Sequence, residues 1–401
     1  MDRNALTGLM DRTVSRRSLL RGGAAIGAAL AAAPVLAACG GGGGSSSGRD
    51  LKTLNILTWE TYHDPAWLAE FTKATGITVN PVTAGSAGEM VAKVRATPAQ
   101  YDIVLVTAGV YRDYTASDLL VPIDDSRVPG LADKIRLGFD WRGAATVDGK
   151  QYAILYNWGN QPLGFDPSVA SSPAAARYKN AAGLIDDWNV LWDPAFAGKV
   201  SVFDDPVSVL PMIPLSLGIA DPYNLSDADF ARTKDKLMAL RPQVRRLTSG
   251  FNDQTQQFAN GEVQLGYLNN IASVATLAGQ GKTLDVNNTP TAGMPAWTDS
   301  YGITKAGAER LDAVYQFIAH TLDVPWQARF VASSGNNGVL DNDQARSAQA
   351  QQAGLTPDTL AATLIPSTAE GAAFFQKTKF FQTPENQQAR LNLWNEFKLG
   401  L

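Results

Sequence analysis

Residues 52–82 read Lys-Thr-Leu-Asn-Ile-Leu-Thr-Trp-Glu-Thr-Tyr-His-Asp-Pro-Ala-Trp-Leu-Ala-Glu-Phe-Thr-Lys-Ala-Thr-Gly-Ile-Thr-Val-Asn-Pro-Val, and their pattern sets the fold class. Residues 52–58 predict a first strand. Asp64-Pro65 then supplies a helix N-cap and a first-turn proline. Trp67, Leu68 and Phe71 follow at helical spacing, Gly76 stops the helix, and residues 77–82 predict a second strand. This is a β-α-β unit. Outward from it, residues 89–95 predict a helix, and 102–106 a short apolar strand of the kind buried in a parallel sheet. The body therefore opens as a doubly wound α/β layer.

Further along, strands are expected at 151–156, 199–203 and 263–267, and helices at 226–240, 251–259, 271–278, 308–319 and 384–397. Ser226-x-x-Asp229 resembles a capping box, and Thr383-Pro384-Glu385 reads as a helix start. These are two α/β regions with no obvious linker between them, so the chain is expected to cross between lobes.

The composition is that of a globular protein: 45% hydrophobic and 18% charged residues in 401. The formal net charge is -4, and the first 38 residues hold five Arg against two acids, so the remainder is at -7. An acidic body lacks the basic face that nucleic acid or an anionic membrane would need. It suits a cationic ligand. The single cysteine, Cys39, excludes an internal disulfide, and with only His63 and His320 no zinc cluster of Cys/His spacing can form. No cofactor is expected and no metal ligand is assigned, while an oxygen-ligand Ca or Mg site stays open by count.

The N-terminal 1–38 reads as an export signal. Ser-Arg-Arg-Ser-Leu-Leu-Arg at 15–21 resembles a twin-arginine (Tat) signal, with Leu19 where that motif prefers Phe. An Ala/Gly-rich run, too short for a membrane span, ends in Leu36-Ala37-Ala38-Cys39-Gly40. This resembles a lipobox, in which Cys39 is lipidated. Residues 39–50 then form a Gly/Ser tether, whose ten or so residues reach roughly 20 Å as a flexible coil. A soluble body anchored to a membrane by its lipid follows from these parts.

Signatures of catalysis are weak. Gly281-Lys282-Thr283 imitates the end of a phosphate loop, but the loop's first glycine would fall at Thr276. No Gly-x-Ser-x-Gly elbow occurs. His63 and His320 lie at helix ends, where a surface or capping role is the plainer expectation. Asp124-Asp125 and Asp186-Asp187 adjoin turns, which they would cap. A hydrolase using two distant carboxylates leaves no local signature and stays as an alternative, as does a ligand sensor without a transport role.

Several segments are similar to spermidine/putrescine-binding proteins of bacterial ABC importers. They are residues 54–62 with Thr75-Gly76-Ile77-Thr78-Val79, Tyr101-Asp102-Ile103-Val104-Leu105-Val106, and Leu119-Leu120-Val121-Pro122-Ile123-Asp124. Residues 191–200 with Asp204-Asp205-Pro206, Gly261-Glu262-Val263, Trp297-Thr298-Asp299-Ser300 and 393–398 continue the likeness in order. The resemblance implies an α/β, two-lobed periplasmic-binding-protein fold of type II, with the ligand cleft between lobes. It places 51–153 and 298–340 in lobe one, and 154–297 and 341–401 in lobe two. It implies a binding protein, not an enzyme: a monomer on the outer face of the cell membrane, or in the periplasm, that captures a polyamine-like or other small cationic or polar solute and delivers it to a permease and its ATPase.

The same resemblance carries over ligand positions one at a time. Trp59 and Tyr62 match aromatics that flank the polyamine chain, where a ring face suits both methylenes and an ammonium. Asp205 and Asp299 match carboxylates that hold amino groups, Trp297 a cleft aromatic, Thr107 a small hydroxyl residue, and Gln382 a late glutamine. Asn269 stands beside Leu268, which replaces a cleft tryptophan. The plainer alternatives are a strand-end role for Trp59, a helix N-cap for Asp205 and a turn for Asp299. Thr61 and Ser208 stand where acids are expected, and Gly109 where a tyrosine is. With at least two carboxylates missing, a diamine, a monoamine or another small polar cation is expected over a triamine.

Overall fold

The computed structural model describes residues 50–361, 363 and 368–401. The export signal, the lipobox at Cys39 and nearly all of the tether lie outside the described residues. Fourteen strands are described: β1 Thr53–Thr58, β2 Thr78–Thr83, β3 Ile103–Thr107, β4 Leu120–Val121, β5 Thr146–Val147, β6 Lys150–Gln151, β7 Ala153–Asn160, β8 Leu163–Phe165, β9 Val200–Phe203, β10 Val244–Thr248, β11 Leu265–Tyr267, β12 Asp285–Asn287, β13 Met294–Thr304 and β14 Thr378–Phe380.

The opening unit forms as its residues dictate. Asp64 caps the helix Pro65–Thr75 by accepting from the Ala66 amide, and Gly76 closes it at φ 73°. Strand β1 pairs in parallel with β2 and β3. The first sheet runs β14-β13-β3-β1-β2, with β4 and β7 also paired to β13; the second runs β10-β9-β11-β8-β12. Each sheet has its own apolar core. One gathers Leu54, Ile56, Ile103, Val104, Leu155, Tyr301 and Phe317. The other gathers Phe165, Trp188, Val202, Leu265 and Trp394.

Three segments connect the two sheets, and they lie side by side. β7 runs at Asn160 into β8, β13 begins at Met294 after β12, and β14 leads to the last helix, Gln387–Lys398. Ala296 is in register with Asn160 on one side and with Phe380 on the other. A three-stranded ribbon therefore links the two sheets.

The expected lobe boundaries need correction. β7 stays paired with β13 from Ala153 to Asn160, so the first crossing falls near 161, later than 153. β13 already pairs with β14 at Met294, so the return falls before 298. Ala345, Ala350, Leu355 and Leu360, expected in lobe two, belong to the first core. The short helices that carry them pack against Val324–Ser334.

Two local expectations also change. The last helix starts at Gln387, not 384, because the Thr383 hydroxyl donates to the Gly109 carbonyl at 2.6 Å and caps nothing. His63 is no surface residue. It is 5% exposed, with Nδ1 2.9 Å from the Thr58 hydroxyl and Nε2 2.9 Å from the Tyr301 hydroxyl, and burial lowers its pKa to about 3. The Lys282 amide closes a turn on Leu277, with Gly281 at φ 71°, so this stretch is a helix-ending turn. Asp124 and Asp187 cap short 3-10 turns.

Candidate functional site

The centre of the site is Asp299. Far from lying in a turn, it sits in the middle of β13, an eleven-residue strand buried throughout. It faces Thr107 of β3 on one side and Asn157 of β7 on the other. Residues directly opposite in antiparallel strands point to the same face. The Thr107 hydroxyl accordingly donates to Asp299 Oδ1 at 2.5 Å, and the Tyr62 hydroxyl to Oδ2 at 2.8 Å. Asp299 is 3% exposed, and burial raises its pKa from 3.8 to about 6, against the opposing pull of the Thr107, Tyr62 and Trp59 donors. The Trp59 indole N–H is near enough to favour the charged acid, but lies outside hydrogen-bond geometry. Among the described residues no lysine or arginine pairs with Asp299.

Backbone geometry delivers Tyr62. Thr61 holds φ 68°, a region costly for a β-branched residue, at the turn between β1 and the first helix. That turn leaves Glu60 and Thr61 exposed and sends Tyr62 inward, with its ring edge-on to Phe330. Burial, then the Asp299 charge, raises the Tyr62 pKa well above its usual value, so the phenol stays a donor.

Trp297 lies two residues before Asp299 on the same strand, hence on the same face. Its cross-strand partner is Gly159. A methyl group at Gly159 would come within 2.2 Å of the Trp297 ring, so glycine is what lets the indole lie down on β7.

Asp205 comes from the second sheet, after β9. It caps the helix Pro206–Val209, accepting from the Val207 amide at 3.0 Å and from the Ser208 hydroxyl at 2.6 Å. Burial raises its pKa, although the residue keeps part of its surface. The residue where an acid was expected, Ser208, thus serves Asp205. Its carbonyl accepts from Tyr267, whose hydroxyl also reaches Gln161 Oε1 at 2.5 Å. Gln161 in turn donates to the Asn269 carbonyl at 3.3 Å. The Asn269 amide donates to Gln254 at 2.6 Å, which fixes its backbone at the end of β11.

Among the described residues the two halves approach each other on more than one side. Gly109, at φ 96°, follows β3, and a methyl there would stand 3.3 Å from Val207 and 3.5 Å from Phe381. The glycine therefore lets the turn after Thr107 approach the helix that Asp205 caps. On the other side Asn270 donates to Asn336 at 2.6 Å. Gln382 is exposed on the third crossing, beside Gly109. Leu268 is buried in a small cluster with Leu277 and Leu284. The structure thus bonds Tyr62 and Thr107 to Asp299, sets the Trp59 indole close by and puts Trp297 on the same face, while Asp205 and Asn269 belong to the second sheet.

A model of the bacterial extracellular solute-binding protein family matches residues 66–357. The chain belongs to this family. It is thus an exported solute-binding protein, with the two-lobed α/β fold of that class. Over 272 residues it is 27% identical to spermidine/putrescine-binding periplasmic protein 1 of Haemophilus influenzae, covering 67% of this chain and 70% of the relative. The putrescine-binding periplasmic protein SpuD of Pseudomonas aeruginosa is 27% identical over 280 residues, covering 67% and 73%. In fold, the solute-binding protein matches the Tp0655 lipoprotein of Treponema pallidum with a TM-score of 0.68 at 17% identity, covering 86% of this chain and 99% of that one.

Sequence reading missed Asn157. It is fully buried opposite Asp299, and neither its amide nor its carbonyl oxygen has a hydrogen-bond partner. The available signal was a lone carboxamide inside the apolar run Ala153-Ile154-Leu155-Tyr156-Asn157-Trp158.

Proposed function

We propose that this solute-binding protein is the receptor of an ABC importer and captures a small cation of polyamine-like chemistry between Asp299 and Asp205. One observation carries the reading: Asp299 is buried with three donors around it and no protein cation, among the described residues, to offset its charge. A buried carboxylate is stable as an ion only when paired. A ligand ammonium supplies that charge, and Trp59, Tyr62 and Trp297 provide ring faces for its methylenes. The names of the polyamine-binding relatives support the same class of ligand.

Asp299 lies on the first sheet and Asp205 on the second, so a cation between them draws the lobes together about the three-stranded ribbon. Closure of this kind is a signal that a permease and its ATPase can read. The protein acts as a monomer and performs no chemistry on its ligand. Cys39, at the end of an export signal, carries the lipid that holds the body at the outer face of the membrane. The hydrolase alternative is the less favoured reading, since the polyamine-binding relatives are named as binding proteins.

Native mass spectrometry of freshly purified protein should reveal a bound amine, and small-angle scattering should show compaction when the amine is added back. If no amine binds, and a neutral or anionic solute does, the cation reading is wrong. For the anchor, Cys39→Ala should abolish acylation and move the protein out of detergent-phase partitions; unchanged partitioning removes the lipid from the account.

A further inference from the structure

Resting on the cation reading, a second group beside Asp299, the neutral Asn157, bears on the ligand's chemistry. Asn157 and Asp299 are register partners on adjacent strands, so their side chains stand next to each other on one face, about 5 Å apart at Cβ. Asn160 and Gln257 each leave one buried polar atom unspent, but the other end of each carboxamide is held by a protein partner. Asn157 has both ends unspent and is 0% exposed. Its nearest influence is on Tyr62, whose phenol it acts to acidify from outside hydrogen-bond geometry. That phenol donates its proton to Asp299, and its oxygen lies outside hydrogen-bond geometry for the Asn157 amide.

A carboxamide offers two N–H donors and one acceptor oxygen. An ammonium ion bound at Asp299 can donate to the Asn157 oxygen. It cannot satisfy the Asn157 N–H groups, because an ammonium has no lone pair. A diamine presents nothing else. The Asn157 amide needs an oxygen. A ligand carboxylate would bring a third negative charge beside Asp299 and within reach of Asp205, and like charges repel in so dry a site. A neutral amide or hydroxyl oxygen meets the demand without that cost. From this we infer that the ligand is a monocation carrying a neutral oxygen acceptor a few atoms from its ammonium, an amino-amide or amino-alcohol, and that Asn157 reads the acceptor while Asp299 reads the charge.

Four compounds of one length separate the possibilities: 1,4-diaminobutane, 4-aminobutanamide, 4-aminobutan-1-ol and 4-aminobutanoate. Isothermal titration calorimetry on the purified full chain measures each. The wild type should bind the amide or the alcohol at least about tenfold more tightly than the diamine, a difference of ~1.4 kcal/mol, and the carboxylate most weakly. Asn157→Leu, similar in shape and free of unpaired polar atoms, should bring that ratio close to one. Asn157→Ala gives the same readout should the leucine fold poorly. A merely structural Asn157, propping Tyr62, would weaken all four compounds alike and leave the ratio unchanged. That result, or a wild type that favours the diamine, overturns the acceptor inference while leaving the cation reading intact. Binding of none of the four amines overturns both.

Discussion

Asp299 and Asp205 are the same side chain held in two different ways. Asp205 takes its hydrogen bonds from its own helix, one from the Val207 amide and one from Ser208, as a cap does. Asp299 takes its bonds from hydroxyls on two other segments, Tyr62 and Thr107, across a sheet. A cap is stabilised by the local backbone, whatever the cleft contains. An acid in mid-strand with no cation nearby contributes nothing that a neutral residue could not, and its raised pKa is a cost to the empty protein. The comparison teaches where to look for a binding charge: in the acid whose surroundings make it least comfortable when the ligand is absent.

The largest effect should follow from Asp299→Asn. Removing one partner of a buried charge pair costs ~2–5 kcal/mol, so cation affinity should fall by about 30-fold to several thousand-fold in calorimetry. The empty protein should respond in the opposite direction. A pKa raised from 3.8 to about 6 corresponds to about 3 kcal/mol of destabilisation at neutral pH. Losing the Tyr62 bond takes back ~1 kcal/mol of that. Asp299→Asn should therefore melt higher than wild type at pH 7.5 without ligand. A lower melting temperature together with lost binding would make Asp299 a structural residue.

Acidity tests the same contrast without mutation. Near and below pH 6 Asp299 takes up a proton while a ligand amine stays charged, so affinity should fall toward tenfold per pH unit. Stability behaves separately. Because the folded pKa of Asp299 lies above its unfolded value, the folded state binds the extra proton between pH about 4 and about 6. Its contribution is full below that window and lost as pH rises through it. His63, lowered to about 3, has the opposite sign: its contribution is present above about 6.5 and lost as pH falls. The Asp299 share is therefore read as the difference between wild-type and Asp299→Asn melting curves across pH 4 to 7. Parallel curves would refute the raised pKa.

Asp205 should give the converse pattern. Asn is as good an N-cap as Asp, so Asp205→Asn should leave stability almost unchanged, while Asp205→Ala should cost ~0.5–2 kcal/mol in thermal or denaturant unfolding. Both should weaken the cation by about 30-fold, from the ~2–5 kcal/mol cost of breaking the pair. Full binding by Asp205→Asn would reduce Asp205 to a cap and leave Asp299 as the only charge in the site.

What was legible followed from local physics. Asp64-Pro65 to Gly76 carries cap, proline and stop in sequence, and the β-α-β opening formed where it was expected. The Asp205 cap was legible for the same reason. β13 was not. Its Met-Pro-Ala-Trp-Thr-Asp-Ser-Tyr-Gly-Ile-Thr run has neither period two nor a continuous apolar character, because it is covered on both faces and its polar residues are satisfied by other strands. Long-range pairing decided that strand, and with it the position of Asp299. The resemblance alone places residues 341–360 in lobe two, and their packing on the first core through Ala345 and Ala350 has no signature in the sequence. Asn157 was passed over because a lone polar residue in an apolar strand carries no motif.

The smallest expected effect concerns Ser208, and it tests whether missing acids or merely altered ones set ligand class. Ser208 stands where the resembling polyamine binders carry a further acid, and its hydroxyl donates to Asp205 at 2.6 Å. That bond lowers the Asp205 pKa against the effect of burial. Ser208→Ala removes a donor to a charged acceptor. Because Asp205 keeps part of its surface, water should replace most of that bond in the open protein. In the closed protein less water can enter, so a loss of ~1 kcal/mol should remain, about fivefold in affinity, with little change in the melting temperature of the empty protein. The ratio between 1,4-diaminobutane and spermidine should not move, because the serine contributes no charge to either. In wild type the diamine should raise the melting temperature more than spermidine does, since the third ammonium would lie in the closed cleft without a carboxylate. A larger shift with spermidine would mean that another acid, outside the Asp299 and Asp205 pair, enters the cleft on closure.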